Sequence, residues 1–175
     1  TYDAVMDRIA EEASREIDRY LGKKPGAFAA EAAAARYFTG SGTGELWVPE
    51  MAEAPTEVAV AEAGDLTDYT TWAATDYLLW PYNAPENDEP YTKLEIDVLN
   101  RTKQLWFNYP KSVKITARWG YSLDPPAVVE HACIIQAIRS FKRAQQAYQD
   151  TGAVLEVGQL QYVKGLDPEV QTFLE

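Results

Sequence analysis

Residues 113–144 read VKITARWGYSLDPPAVVEHACIIQAIRSFKRA, and this stretch decides the fold because it joins the clearest strand to the longest helix. From Val113 to Trp119, apolar and polar side chains alternate, which is typical of a half-buried antiparallel strand. Asp124 can then cap a helix, and two prolines suit the first turn, where a missing N–H costs nothing. Apolar residues recur every three or four positions from Val128 onward. The stretch therefore predicts a strand followed by a long helix over residues 125–149.

Two further helices are predicted toward the ends of the chain. An apolar stripe on an otherwise acidic segment indicates a helix over residues 2–21, with Gly22 as its stop. A cap and a proline, Asp167 and Pro168, introduce a short helix over residues 168–174. Pairing the apolar stripes of the two longer helices would bury both. We expect an α+β fold in which a small helical bundle carries an inserted antiparallel β region, as one domain over residues 1–175.

Between the first two helices, from about residue 36 to residue 121, aromatic, β-branched, Gly and Pro residues predict strands and turns. The Ala-rich run just before, residues 31–36, favours a turn of helix. Period-2 alternation marks the strongest strands, and shorter apolar runs mark the others. The expected strands are 45–48, 57–61, 76–80, 92–98 and 113–119. The three prolines of WPYNAPENDEPY, residues 80–91, predict a loop.

The composition is that of an ordinary globular protein, with 175 residues of which 46% are hydrophobic and 25% charged. The formal net charge of −11 argues against a nucleic-acid-binding surface, because neutralising phosphates needs a basic patch. One cysteine excludes an intramolecular disulfide framework, and one histidine excludes a His-rich metal site. We expect no membrane span and no secretory signal, and the single Cys133 fits synthesis in a cytoplasm.

No group of residues in the sequence indicates a catalytic or metal site, and we expect no cofactor. His131 and Cys133 are two positions apart on the predicted helix, so they point in nearly opposite directions and cannot act as base and nucleophile. The run GSGTGE, residues 40–45, lacks the lysine and the following helix of a phosphate loop, so it predicts a turn into the next strand. The acidic cluster in the proline-rich loop lacks the glycine and the distal glutamate of a calcium loop.

Aromatic residues are concentrated in the predicted β region, which contains all five tryptophans of the chain. Core packing accounts for Trp119 and Trp47. Other aromatic side chains border predicted loops, where such residues serve as ligand platforms or protein contacts. We expect an interface formed by Trp80, Tyr82, Trp106 and Tyr109.

The order of these segments resembles that of the head-tail connector (adaptor) proteins of tailed bacteriophages and prophages. The resemblance covers nearly the whole chain. Its most specific marks are a strand ending in Trp119-Gly120-Tyr121, Pro126 before a long Ala/Ile-rich helix, and Asp167-Pro168 before a terminal helix. The large Trp-rich β insertion departs from the smallest, mainly helical members. The similar stretches are IAEEASREIDRYLGK, ARYFTGSGTGELWVPEMAEAPTEVAV, TDYLLWPYNA, YTKLEI, residues 113–144 and GLDPEVQTFLE.

The resemblance implies a non-enzymatic part of the virion, made in the host cytoplasm and located in the neck between capsid and tail. Such adaptors assemble as a twelve-fold homo-oligomeric ring beneath the portal protein. They extend the DNA channel without binding DNA specifically, and they present a surface to the stopper or tail.

The resemblance also implies candidate contact residues. By this analogy the C-terminal segment docks on the portal protein, through Gly158, Leu160, Tyr162, Leu166, Phe173 and Leu174. The loop of residues 81–91 is a candidate for contacts between subunits or toward the tail, together with Trp80, Tyr82, Trp106 and Tyr109. The basic residues of the long helix would meet the acidic first helix of a neighbour, which helps register and encounter. These basic residues are Arg139, Lys142 and Arg143.

Two alternatives stay open. The first is a module that binds a ligand or glycan through Trp80, Tyr82 and Trp106, which predicts a change in tryptophan fluorescence with sugars and no assembly. The second is a hydrolase that uses acidic residues, which requires a pocket with carboxylates whose pKa values are pushed apart.

Overall fold

The computed structural model describes residues 2–62, 64–100, 102–145 and 165–174. Within these ranges the chain has three α-helices and two antiparallel sheets, which confirms the mixed α+β class. The helices are α1 (Tyr2–Tyr20), α2 (Ala127–Gln145) and α3 (Pro168–Leu174). The strands are β1 (Ala34–Phe38), β2 (Glu45–Met51), β3 (Glu57–Val60), β4 (Thr70–Thr71), β5 (Tyr77–Trp80), β6 (Tyr91–Ile96) and β7 (Val113–Ala117). None of the described helices is both long enough and apolar enough for a membrane span.

By its internal contacts the chain divides into two compact units. Residues 1–27 and 125–175 form the helical unit, which holds all three of these helices. Residues 28–124 form the β unit, which holds both sheets. The expectation of one domain over residues 1–175 stays a prediction.

The helical unit forms because its helices each bury one apolar stripe. In α1 the buried apolar side chains are those of Ile9, Ala13 and Ile17, four positions apart, and charged residues cover most of the remaining surface. Gly22 follows the helix with a φ of +65°, a backbone conformation that favours glycine at a helix end. The core shared by the three helices and the residues leading into α3 consists of Ile17, Ala132, Leu166 and Val170.

A buried glutamine on α2 links the parts of the helical unit. Gln136 donates from Nε2 to Glu16 Oε2 of α1 at 2.7 Å, and its Oε1 accepts from the Asp167 N–H at 3.2 Å. Both ends of the amide are therefore paired, as a buried polar group requires. Arg139 adds a 3.2 Å hydrogen bond to the Gly165 carbonyl oxygen and a 3.6 Å ion pair with Asp167. These contacts hold the start of α3 against α2.

The β unit has its core between the two sheets. The four-stranded sheet has the order β1-β7-β3-β4, and the three-stranded sheet has the order β2-β6-β5. Because side chains alternate along a strand, every second residue points inward. In β7 these are Val113, Ile115 and Ala117, and in β6 they are Leu94 and Ile96, all of them buried.

All five expected strands are present, with small shifts at their ends. The turn at residues 40–44 leads into β2 as expected, and the loop after β5 contains one short 3-10 turn, Pro85–Asn87. β4 was not expected. β1 corrects the expected helical turn at residues 31–36, because Ala34 and Ala35 pair with Ala117 and Thr116 of β7. Pairing with a neighbouring strand outweighs the helical preference of alanine.

The helix limits agree with the sequence pattern to within two residues. α1 ends one residue early and α3 matches its expected limits. α2 begins at Ala127 rather than residue 125, since Pro126 precedes the helix and its carbonyl oxygen accepts the first bond, from the Glu130 N–H at 3.0 Å. The expected end of this helix, residue 149, lies outside the described residues.

The segments that lead into and out of the β unit run side by side. The Ala30 N–H donates to the Ser122 carbonyl oxygen at 2.8 Å, and the Gly120 N–H donates to the Glu50 carbonyl oxygen at 2.9 Å. Gly120 has a φ of +152°, and a Cβ at this position would lie 2.7 Å from Ala30 Cα. The glycine of Trp119-Gly120-Tyr121 is therefore required by a close approach of two backbone segments.

Candidate interaction surface

The outer face of the three-stranded sheet carries a row of aromatic side chains. Trp47 of β2 and Trp80 of β5 both lie directly opposite Lys93 of the central strand β6. The neighbours of Trp47, Leu46 and Val48, are buried in the core. Alternation along β2 therefore turns Trp47 outward, where it is 66% exposed, while Trp80 is 39% exposed.

Lys93 lies between the two indole rings as a buried cation. Its Nζ is 5.5 Å from the centroid of the Trp47 ring and 5.0 Å from that of Trp80, within the range of cation–π interactions. The same atom donates a 2.8 Å hydrogen bond to Glu45 Oε1 and lies 3.4 Å from Glu95 Oε2. The hydrogen bond to Glu45, supported by Glu95, raises the pKa of Lys93. Lys93 is therefore held as a cation that keeps both rings in place on the sheet.

Two carboxylates share this one ammonium group. Glu45 and Glu95 lie directly opposite each other on β2 and β6, an arrangement that is destabilising for like charges. Lys93 pairs with both carboxylates and relieves the repulsion. One net negative charge remains beside the exposed tryptophans.

The aromatic row continues into the loop after β5. Tyr82, which is 53% exposed, meets Trp80 edge-on with the ring centroids 4.7 Å apart. Leu78, opposite Glu95, is also exposed. The same loop carries the exposed acidic residues Glu86, Asp88 and Glu89. We call the following set the aromatic surface: Glu45, Trp47, Leu78, Trp80, Tyr82, Lys93 and Glu95.

The structure corrects two of the assignments of tryptophans to core or interface that were made from the sequence pattern. The expectation of core packing is confirmed for Trp119 and wrong for Trp47, although strict alternation between Leu46 and Val48 was a usable signal. Trp106 needs the opposite correction, because it is fully buried and cannot offer a surface contact. Its ring stacks on Trp72 at 4.6 Å, and its Nε1 donates to the Gly44 carbonyl oxygen at 3.1 Å.

Of the four aromatic residues expected at an interface, Trp80 and Tyr82 lie together. Tyr109 contacts different residues: its ring lies 6.2 Å from that of Phe107, and its hydroxyl accepts from the Gly64 N–H at 3.1 Å. Tyr109 is half-buried. The aromatic surface therefore consists of residues from β2, β5, β6 and the start of the loop, and Tyr109 is not one of them.

A second surface lies on the C-terminal half of α2. Lys142 and Arg143 lie three and four positions after Arg139, so both are close to it on the helix surface. Together with Ile135 and Ile138 they line an open groove of about 410 Å³. Lys142 and Ile138 are exposed. We call these five residues the basic face of α2.

The candidate residues for portal docking differ in whether the structure describes them and in how exposed they are. Gly158, Leu160 and Tyr162 lie outside the described residues. Leu166 needs correction as a surface contact, because it is only 4% exposed and belongs to the helical core. Leu174 is partly buried against that core, whereas Phe173 is 41% exposed and lies 5.4 Å from the His131 ring.

Several titratable groups of the described residues form structural pairs or are buried. The hydrogen bond from Lys114 lowers the pKa of Glu57, and the hydrogen bond from Lys103 lowers the pKa of Glu62. Burial raises the pKa of the Cys133 thiol. In the described part of the chain, no three His, Cys, Asp or Glu side chains come together in a way that could hold a metal ion.

No protein-family model matches this sequence, and no curated protein matches it.

Proposed function

We propose that this protein is a head-tail connector (adaptor) of a tailed bacteriophage or prophage, a non-enzymatic structural protein of the virion neck. It would form a twelve-fold ring beneath the portal protein, extend the DNA channel and provide the attachment surface for a stopper or tail. In this proposal the chain is a helical bundle with an inserted β region. The fold and the exposed surfaces support the proposal, and the resemblance in the order of segments is the reason for proposing this family.

One observation carries the proposal: the marks of the resemblance coincide with structural boundaries. The strand that ends the β unit leads through Trp119-Gly120-Tyr121 to Pro126, and α2 begins directly after it. The glycine is required by the contact with Ala30, where the chain passes into the β unit. Asp167-Pro168 likewise stands at the start of α3. The residues that carry the resemblance therefore stand where one element of the fold leads into the next. Such a structural role is expected for a non-enzymatic protein of the virion.

Charge supports a channel that lets DNA pass. With −11 formal charges per chain, twelve copies carry about −130 charges in a ring. Such a surface repels DNA phosphates instead of retaining them, because binding needs clustered Lys and Arg. The proposal therefore predicts that DNA passes without specific contacts.

Portal docking is assigned to the C-terminal segment, residues 158–175, with Phe173 as its exposed apolar side chain. A truncation after Gly152 also removes Leu166 and Val170 from the helical core, so a point variant tests docking more sharply. Phe173→Ser should abolish portal binding and leave the unfolding transition unchanged. Met6→Ser, at a similarly exposed apolar position on α1, is the matched control and should bind normally. Portal binding by the truncated chain would contradict this docking assignment.

The experiment that tests the function is quantitative mass spectrometry of purified virions or phage-like particles. A copy number equal to that of the portal protein is the expected result, because the two rings must match. Absence of the chain from particles that contain portal and tail proteins would overturn the proposal.

A further inference from the structure

We propose that the aromatic surface of one copy binds the basic face of α2 on a second copy. Each copy would use one of these surfaces toward each of its two neighbours, which we call a head-to-tail arrangement of chains. This inference rests on the proposed function and identifies the surfaces through which a ring would close.

The distribution of charge between the two units gives the first reason. The β unit contains seven Lys and Arg against fifteen Asp and Glu, a net charge of −8 out of the total of −11. By contrast, residues 131–149 contain three basic residues and no acidic one. Arg139 of the basic face is already paired with Asp167, so the exposed Lys142 is the cation that this face offers to a partner. The acidic β unit is the strongest complement to this lysine within the same sequence.

The acidic first helix is a weaker complement, because several of its carboxylates already have partners within the helical unit. Glu12 pairs with Arg8 at 3.3 Å, and Glu11 lies 3.9 Å from Arg15. Glu16 accepts the hydrogen bond from Gln136. The groove along this helix is lined by three arginines and three glutamates, so it carries no net charge: Arg8, Glu11, Glu12, Arg15, Glu16 and Arg19.

The aromatic surface, in contrast, has charge left over for a partner. Glu45 and Glu95 face each other and share the one ammonium group of Lys93, so a second cation would relieve their remaining repulsion. The exposed faces of Trp47 and Trp80 attract cations as well.

This chain uses the same chemistry elsewhere in the β unit. The guanidinium carbon of Arg36 lies 4.6 Å from the Trp119 ring centroid, and Lys103 Nζ lies 4.9 Å from that of Trp72. Cations placed over tryptophan rings are thus an established contact within the molecule. Arg and Lys of a neighbouring copy would repeat it.

Apolar contact completes the match. On the basic face, Ile138 is exposed next to Lys142, and the aromatic surface offers Leu78, Trp80 and Tyr82. A whole aromatic side chain buries about 150–250 Å². Trp47, Trp80 and Tyr82 are 66%, 39% and 53% exposed, so the exposed part of each can contribute to the roughly 800 Å² per partner in a specific interface. Tryptophan, tyrosine and arginine are also the residue types enriched among binding hot spots.

The two surfaces differ in chemistry, so the contact is heterologous. A heterologous contact repeats from one copy to the next and closes into a ring when the rotation between copies allows it. A pairing of two aromatic surfaces would instead give a two-fold dimer and would bring four carboxylates together. Charge therefore favours the head-to-tail arrangement.

Crosslinking between two differently labelled copies tests this contact directly. In a Cys133→Ser background, one full-length chain carries Leu78→Cys and a second carries Ile138→Cys, both at exposed positions. The two are mixed, alone at high concentration and in the presence of the portal protein, and treated with a short bis-maleimide. The expected result is a crosslinked dimer that contains one chain of each kind. Tyr37→Cys, an exposed aromatic position on the other sheet, is the control and should not crosslink to Ile138→Cys.

The outcomes separate this inference from the proposed function. A ring on the portal protein without the crosslink overturns the inference and leaves the adaptor function standing. The crosslink in a chain that does not bind the portal supports the inference and contradicts the adaptor function. A crosslink between two Leu78→Cys chains overturns the head-to-tail arrangement. A sugar-induced fluorescence change that Trp47→Ser abolishes, with no crosslink between copies, overturns the inference in favour of a glycan site.

A charge reversal gives a second measurement. Lys142→Glu should raise the concentration needed for assembly at least tenfold and weaken its dependence on salt, because it removes a cation from the contact. Lys24→Glu makes the same change of charge at an exposed position in the helical unit and is the control. Equal assembly by the Lys142→Glu and Lys24→Glu chains would overturn the inference.

Discussion

Replacing Gly120 by alanine should destabilise the β unit strongly. The added Cβ would lie 2.7 Å from Ala30 Cα and 3.0 Å from Ala30 N, and backbone atoms cannot move aside as a flexible side chain can. The φ of +152° is also a conformation that residues with a Cβ rarely adopt. Backbone strain and overpacking together predict a loss of about 2–5 kcal/mol in the free energy of unfolding. This is a large fraction of the roughly 5–15 kcal/mol that stabilises a typical domain.

Urea unfolding followed by tryptophan fluorescence measures this loss, because all five tryptophans lie in the β unit. The Gly120→Ala transition should move to lower urea concentration with an unchanged slope. Gly44→Ala is the matched control: a Cβ there meets nothing within 4 Å, so its transition should remain within about 1 kcal/mol of the wild type. Coincident transitions of Gly120→Ala and wild type would refute the close approach between Gly120 and Ala30.

Three further predictions concern the paired and buried groups. The hydrogen bond from Lys103 lowers the pKa of Glu62, so this carboxylate stabilises the fold above its unfolded pKa of about 4.3 and stops doing so as pH falls through its folded value. Glu62→Gln should therefore cost about 1 kcal/mol at neutral pH and lose less stability than wild type on acidification; parallel pH profiles would contradict this. Leu166→Ala should destabilise the helical unit by about 2–4 kcal/mol, seen in circular dichroism at 222 nm, since it leaves a cavity in the core, and an unchanged transition would argue against its burial. Burial raises the pKa of the Cys133 thiol, so iodoacetamide should alkylate it more slowly at neutral pH than it alkylates a free cysteine; equal rates would contradict this environment.

The aromatic surface illustrates how far sequence patterns reach. Trp80 and Tyr82 could be assigned to a surface because they border a proline-rich loop. Alternation in β2 also predicted that Trp47 faces outward, but the general tendency of tryptophan to be buried favoured the core. The role of Lys93 was not accessible, because both rings and the Glu45 carboxylate come from other strands, β2 and β5.

The sequence by itself determined the elements whose signals are local. Periodicity marked α1, α2, β6 and β7, because helix and strand place side chains at different repeats. A cap followed by a proline marked α3, and short apolar runs marked β2, β3 and β5. Tertiary structure alone decided β1, whose alanines become a strand by pairing with β7, and the burial of Trp106 by Trp72. The physical reason is the same in both cases. Burial and strand pairing depend on which distant segment covers a residue, and a residue and its nearest neighbours do not contain that information.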